Sequence, residues 1–204
     1  MYENHGKQSL FVLFTLHKQP EASVDILGSY YSDQLWLIEA IVRSMPITHK
    51  LYVKEHSNAI GDRSINFYKK VKNLPNTVLV DPFVDTFDLI KKADLILTIS
   101  GTVAYESAII GTPSIVFADM FFNVLPKVYR CNNIENLYYL IRKAIKKKYE
   151  PLSNEEKEET VKFLAYVIAN SFEGVISDPQ SDPYCITKEN INNLSVGFSH
   201  LLGV

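Results

Sequence analysis

The segment LTISGTVAYESAIIGTPSIVF, Leu97–Phe117, carries an apolar run into Ser100-Gly101-Thr102, after which a helical pattern opens. Four residues past Thr102 stands a single carboxylate, Glu106, in an otherwise uncharged stretch, where it reads as a buried acid. Glycine lets a phosphate approach the backbone closely. The start of the following helix offers unpaired N–H groups and a positive dipole end, which together bind anions, and Ser100 and Thr102 add hydroxyl donors. Glu106 lies one helical turn beyond Thr102, so the two share a face. A carboxylate so placed can accept two hydrogen bonds from a ribose diol, as acids in dinucleotide folds do. The pair suits a nucleotide sugar, with its mono- or diphosphate at the turn and its ribose at Glu106. A plainer reading stands beside this one: Ser and Thr are ordinary N-caps, and an acid near a helix start is stabilised by the dipole.

Other ionisable residues follow apolar runs in the same way. His17-Lys18-Gln19-Pro20-Glu21 follows the first, Lys54-Glu55-His56-Ser57 the second and Asp81-Pro82 the third. The His17-Lys18 pair suits a phosphate or a sugar carboxylate; alternatively, His17 is hydrogen-bonded to neighbouring loops. The period of two in an extended segment puts Lys54 and His56 on one side and Glu55 on the other. His56 is then placed to neutralise a leaving phosphate, or else to cap or pack a loop. Arg63 reads as a partner in a surface salt bridge. Tyr30 and Tyr31 line a pocket, stack on a base, or belong to the core. Asp33 reads as an N-cap, and Trp36, with Leu37 and Ala40, as core. His5, His49 and His200 read as surface or packing residues. There is no GxSxG elbow, and neither GxGxxG nor GxxxxGK[ST] occurs.

These residues need elements to hold them. Strand-like runs are expected at Leu10–Leu16, Lys50–Val53, Thr77–Val80, Leu95–Ile99, Ser114–Phe117 and Lys127–Arg130. Several are apolar nearly throughout, as in strands buried on both faces of a parallel sheet. Helical spacing fills Asp33–Met45, Ser64–Asn73, Thr86–Lys92 and Val103–Gly111, with Pro46, Pro75 and Pro113 near the ends. Alternation of strand and helix predicts βαβ crossovers. The expected fold is α/β: a doubly wound, mostly parallel, six-stranded Rossmann-like sheet in the order 3-2-1-4-5-6, with extra C-terminal helices. In such sheets ligands sit beyond the carboxyl ends of the strands, where the residues above collect. After Cys131 only helices are expected: Asn133–Lys147, one from the capping box Ser153–Glu156 toward Phe172, and one over Lys188–Leu201. The basic run Arg142–Lys148 reads as a helix C-terminal turn favoured by the dipole. The organisation expected is a Rossmann-like nucleotide-sugar-binding domain over residues 1–131, with helices over 132–204 packed on it or extending it.

Composition narrows the classes. The 204 residues are 47% hydrophobic and 22% charged, with a formal net charge of -2. That supports a packed core and argues against a nucleic-acid partner, which needs a concentrated basic surface. Two distant cysteines, Cys131 and Cys185, form no metal-ligand spacing and suggest a reducing compartment. No apolar run reaches the ~18 residues of a membrane span, and MYENHGKQ lacks a signal peptide's apolar region. The expectation is a cytoplasmic protein, with no metal or other cofactor.

LHKQPEAS (Leu16–Ser23), GSYYSDQ (Gly28–Gln34), LYVKEH (Leu51–His56), RSINFYKKVKNLPNT (Arg63–Thr77) and SGTVAYES (Ser100–Ser107) together resemble the capsule polysaccharide biosynthesis family, which includes transferases of the acidic sugar Kdo carried on CMP. The resemblance covers roughly Leu10 to Arg130, and Ser57 stands where members often have proline. The SGTxxxE element is also similar to the donor-binding half of GT-B glycosyltransferases at large, including lipid A disaccharide synthase, and of UDP-GlcNAc 2-epimerases. The resemblance implies the donor-binding C-terminal half of a GT-B glycosyltransferase for capsular or other surface polysaccharide, with a CMP-Kdo-like donor. It implies donor contacts at Ser100, Gly101, Thr102 and Glu106, and further contacts at His17, Lys18, Gln19, Glu21, Lys54 and His56; of these His17 and His56 are the candidate catalytic residues. The partners implied are a nucleotide sugar and a glycan acceptor. At about 100–200 residues per domain the chain holds one Rossmann domain, so the acceptor half is expected ahead of Met1 or on a partner chain. Transfer by this chain alone is not expected, and the full enzyme is compatible with peripheral association at the inner face of the membrane. The rival readings are a sugar-nucleotide epimerase-like domain and a non-catalytic nucleotide-sugar-binding module.

Overall fold

The protein is described from a computed structural model, which covers residues 10–176, 179 and 182–203; His5 lies outside the described residues. Six strands form one sheet: β1 (Phe11–Thr15), β2 (Lys50–Lys54), β3 (Thr77–Val80), β4 (Leu95–Thr98), β5 (Ser114–Val116) and β6 (Val128–Arg130). Their order is β3-β2-β1-β4-β5-β6 and every pairing is parallel. This is the Rossmann-like order expected from the sequence.

Alternate residues of the strands feed two cores. Val12, Phe14, Leu51, Val53, Leu95 and Leu97 face one side, with Leu37, Ile38 and Ile41 of α1 (Gln34–Ser44), Tyr68 and Val71 of α2 (Ile65–Lys72), and Leu137, Ile141 and Ala144 of α5 (Leu137–Lys148). Phe11, Leu13, Tyr52, Val78, Val80 and Ile96 face the other, with Leu89 and Ile90 of α3 (Thr86–Lys92) and Val103 of α4 (Val103–Ile109). Burial on both faces is why these strands read as unbroken apolar runs. A fully buried Leu or Phe contributes about 1.5–3 kcal/mol.

The helix starts follow cap chemistry. The side chains of Asp33, Ser64 and Asp85 accept from Trp36 N, Phe67 N and Asp88 N respectively. A reciprocal capping box opens α6 (Asn154–Ala169): Ser153 N donates to Glu156 Oε2 at 2.8 Å, and Glu156 N donates to Ser153 Oγ at 3.1 Å. One turn was not foreseen, a π-helical segment over Ser23–Leu27 between β1 and α1. Trp36, expected in the core, is 38% exposed. It lies beside Tyr30 and Tyr31 at the start of α1, and Leu37, Ile38 and Ile41 take the inward face instead.

The chain forms two compact units, Met1–Thr160 and Val161–Val204. In the second, α7 (Lys188–Leu202) begins at Thr187, whose side chain accepts from Asn190 N. Asn190 is fully buried. Its Oδ1 accepts from Val175 N at 2.7 Å, and its Nδ2 donates to Val175 O and Cys185 O, both at 2.8 Å. Gly197 lets α7 meet Phe172, where a Cβ would lie 2.9 Å from the Phe172 Cβ.

Candidate functional site

β1 is flanked by β2 and β4, with Thr15 aligned to Lys54 and Phe14 to Leu97. Neighbouring strands lie only about 4.8 Å apart, so the segments leaving these three strands emerge side by side. They enclose a cleft of about 470 Å³ at the carboxyl edge, within the range of small-molecule sites. Its wall includes His17, Glu21, Lys54, His56, Ser100, Gly101, Thr102 and Glu106, together with Ser23, Glu55, Thr86 and Met120. Two residues expected to touch a ligand, Lys18 and Gln19, are not in that wall. Lys18 is exposed. The Gln19 amide braces its own loop, accepting from Gln34 Nε2 at 2.6 Å and donating to Asp25 Oδ1 at 2.9 Å.

His17 is buried, and its Nε2 accepts from Ile99 N at 3.1 Å and, at the margin of hydrogen-bond length, from Ser100 N at 3.4 Å. An accepting Nε2 carries no proton, so the ring is the neutral Nδ1–H tautomer. The Thr98 hydroxyl, 2.9 Å away, donates to the same nitrogen and accepts from Thr15 Oγ1 at 3.1 Å and Gly101 N at 3.2 Å. Burial pushes the His17 pKa from 6.5 down to about 4; Glu21 opposes this, and His56 and Arg63 add to it. His17 thus fastens the Ile99–Ser100 backbone to the end of β1, which is the loop-bonding role the sequence left open. Gln34 completes the brace, accepting from His17 N at 2.9 Å and donating to His17 O at 3.0 Å.

Arg63 was expected in a surface salt bridge. Its ion pair, with Glu55 at 2.6 Å, is buried instead, the side chains being 12% and 2% exposed. Arg63 also donates to His17 O, while Glu55 accepts from Tyr68 OH at 2.6 Å and His56 N at 2.8 Å. The loop before α2 thereby ties the end of β2 to the end of β1. The partners are too far apart in sequence for spacing to reveal the burial.

Lys54 is buried, and its Nζ donates to Pro82 O at 2.8 Å. Burial lowers its pKa, against the opposing charges of Asp85, Asp81 and Glu55. An ammonium has three N–H donors, so the bond to Pro82 leaves Lys54 capacity toward the cleft. His56 is exposed, and its Nδ1 accepts from Asn58 N at 3.2 Å. In the neutral ring the proton is then on Nε2, which makes His56 a donor at that nitrogen.

Ser100 is 4% exposed, and its Oγ is buried without a hydrogen-bond partner among the described residues; the same is true of Ser23 Oγ. Both residues line the cleft. A buried polar atom left unpaired costs about 1–3 kcal/mol, so two such hydroxyls on one cleft wall mark where a polar guest would be held. Gly101 is required beside them, because a Cβ there would sit 2.6 Å from Thr98 Oγ1 and 3.3 Å from His17 Cε1. Thr102 and Glu106 differ from the reading of a buried acid: both are exposed, and Thr102 Oγ1 donates to Glu106 Oε1 at 3.4 Å. Val103, Ala104, Ser107 and Ala108 are the buried residues of α4, which leaves Glu106 on the solvent rim. Sequence reasoning missed Thr98, Gln34 and Ser23. Thr98, the one hydroxyl in the apolar run LILTI, was the available signal; Ser23 gave none. Among the described residues no three His, Cys, Asp or Glu side chains gather as a metal site, and no helix is long and apolar enough to cross a membrane.

Comparison with solved structures finds the same fold in part of longer chains. A Thermosulfurimonas dismutans KpsC, beta Kdo 2,4 transferase, superposes with a TM-score of 0.51 at 17% identity, over 71% of this chain and 46% of its own. A putative UDP-N-acetylglucosamine 2-epimerase from Listeria monocytogenes gives 0.51 at 16%, over 83% and 49%. A Thermosulfurimonas dismutans KpsC, beta Kdo 2,7 transferase, gives 0.51 at 14%, over 81% and 57%. The chain therefore spans about half the length of these structures, and at such identities the likeness is one of fold: a Rossmann-like half of a GT-B architecture. No curated protein matches the sequence. One family pattern covers residues 47–167, more than half of the 204. By that match the chain belongs to the family described as protein of unknown function DUF354.

Proposed function

We propose that the carboxyl-edge cleft binds the nucleotide sugar of a GT-B-type glycosyltransferase, and that this chain is its donor-binding half. The observation that carries the reading is the unpartnered, buried Ser100 Oγ beside Gly101, in a cleft that also holds the Lys54 ammonium. A phosphate oxygen satisfies that hydroxyl, and Gly101 lets the turn that presents it pack against Thr98 and His17. In the transfer, an acceptor hydroxyl displaces the nucleotide and charge grows on the leaving phosphate. Lys54 N–H groups, the His56 Nε2–H and the Ser100 O–H are fixed donors for that charge. His17 positions the turn that presents Ser100. Glu106, at the rim, accepts from the ribose hydroxyls. The resemblance to Kdo transferases favours a CMP-linked acidic sugar as donor, surface polysaccharide as product and the cytoplasm as compartment. A glycan acceptor is bound by a second half or a partner chain.

Calorimetric titration of the chain with CMP, UMP and UDP tests this. Binding of at least one nucleotide is expected, weakened by about 1.5–3 kcal/mol in Ser100→Ala and near the lower end of that range in Glu106→Ala. Equal affinity of Ser100→Ala and wild type would rule out the phosphate role. A second reading, an epimerase-like domain, is supported by the equal TM-score of the Listeria structure. Inversion of the free sugar nucleotide, with no acceptor present, would favour it.

A further inference from the structure

A second cleft of about 690 Å³ lies on the same sheet edge, between the residues that precede α1 and those that follow β6. It shares no wall residue with the first. The connection from β1 to α1 separates the two, with Glu21 and Ser23 facing one and Leu27–Tyr31 the other. The chemistry of its wall is different. The first cleft contains three carboxylates, whereas no Asp or Glu lines the second. Its apolar side is aromatic: Tyr31 and Phe117 are buried with ring centroids 4.9 Å apart, and Tyr30 stands edge-on to Tyr31 while 73% exposed. Its polar side is made of Arg130, Asn132 and Asn133. The Asn133 Oδ1 accepts from Glu135 N at 2.9 Å, which leaves its NH₂ as the donor group. Arg130 pairs with Asp119 at 3.0 Å, with both side chains open to solvent, at 43% and 73% exposure. An exposed pair of that kind holds its partners weakly, so the guanidinium can turn to another carboxylate, which it grips with two parallel N–H bonds.

An aromatic face opposite a guanidinium and amides suits a ring with one apolar face, several hydroxyls and one carboxylate. A pyranose offers its C–H face to an aromatic ring and its hydroxyls to amides; the carboxylate answers Arg130. We infer that the second cleft is a subsite for an acidic sugar residue, held by Arg130, Asn132 and Asn133 against Tyr30. Its place beside a nucleotide-sugar cleft rests on the glycosyltransferase reading above; the binding of an acidic sugar does not.

The test is a titration of the whole isotope-labelled chain with methyl glucuronide, followed by amide NMR, with methyl glucoside as the uncharged control. Expected are shifts confined to Ser29–Tyr31 and Arg130–Asn133, affinity about ten-fold lower for the glucoside, and a similar loss in Arg130→Gln. Tyr30→Ala should weaken both sugars, because it removes the shared stacking face. CMP titrated into Arg130→Gln should still shift the first cleft as in wild type, which separates this inference from the nucleotide reading. Absence of shifts with glucuronide, shifts only in the first cleft, or equal affinity for glucoside and glucuronide would each overturn it. Benzoate binding as well as glucuronide would also overturn it, by showing an aromatic-acid site in place of a sugar site.

Discussion

Ser100 carries a hydroxyl that folding removes from water without giving it a partner among the described residues. Replacing it with alanine should therefore stabilise the empty protein, by about 1 kcal/mol, while weakening nucleotide binding. Thermal denaturation with and without CMP checks both signs, and a destabilised Ser100→Ala would show that the hydroxyl has a structural partner. His17 gives a pH signature. Its folded pKa, about 4, lies below the ordinary 6.5, so protons bind the unfolded chain more tightly. The stability from the neutral ring is complete above pH 6.5 and is lost as pH falls toward 4, by up to about 3 kcal/mol. His49, also lowered by burial with Asp94 opposing, titrates in the same direction. Denaturant curves at pH 7.5 and 5 should thus show a smaller pH dependence in His17→Gln than in wild type, and an unchanged dependence would refute the assignment. The sequence showed which residue types gather at this edge, because each follows an apolar run. It did not show that the acceptor atom of His17 faces the backbone of residues 99 and 100. That contact depends on β1 lying beside β4, more than eighty residues away.

At the scale of elements, what was legible had a local cause. The strands announced themselves because both faces are apolar, and the helix starts because Asp33, Ser64 and Ser153 cap the turns they precede. The turn Ser23–Leu27 had no such mark, and Trp36 is left outside because Leu37, Ile38 and Ile41 take the inward face of α1, a choice of face that the apolar pattern alone leaves open. Arg63 is the clearest case of a tertiary role hidden in the sequence. It ties the start of α2 to β2 through Glu55 and to β1 through His17 O. Removing one member of a buried ion pair leaves the other uncompensated, at a cost of about 3–5 kcal/mol. Arg63→Met should therefore lower the urea midpoint sharply. The double variant Arg63→Met with Glu55→Gln should recover much of the loss, because the amide oxygen still accepts from His56 N and the amide NH₂ donates to the Tyr68 hydroxyl, which turns from donor to acceptor. No recovery would mean that packing by the guanidinium stem, and not charge, is what matters.

At the scale of the whole molecule, the chain spans about half the length of the structures that share its fold, and its cleft opens at the carboxyl edge of the sheet. An open cleft stays wet, and water weakens every charge interaction in it. The purified 204-residue chain is expected to bind nucleotide and to transfer no sugar; robust glycan extension by the chain alone in a radiolabelled donor assay would refute this. The strand order has a further consequence, one of timing. Of the six strands β1 leaves the ribosome first, yet it lies inside the sheet, and one of its edges has no partner until residues 95–97 of β4 have been made. Until then that edge is an open template for other chains. Closing a loop of that length before any contact compensates for it is slow. The β1–β4 seam is thus the rate-setting event: Leu97→Ala should mainly slow refolding, whereas Val78→Ala, on the edge strand β3, should mainly speed unfolding. Chevron plots of the two variants measure this, and the reverse pattern would place nucleation at β2–β3. Synthesis exposes the emerging chain through that wait, so the protein should depend on chaperones until the turn at Ser100 has cleared the exit tunnel.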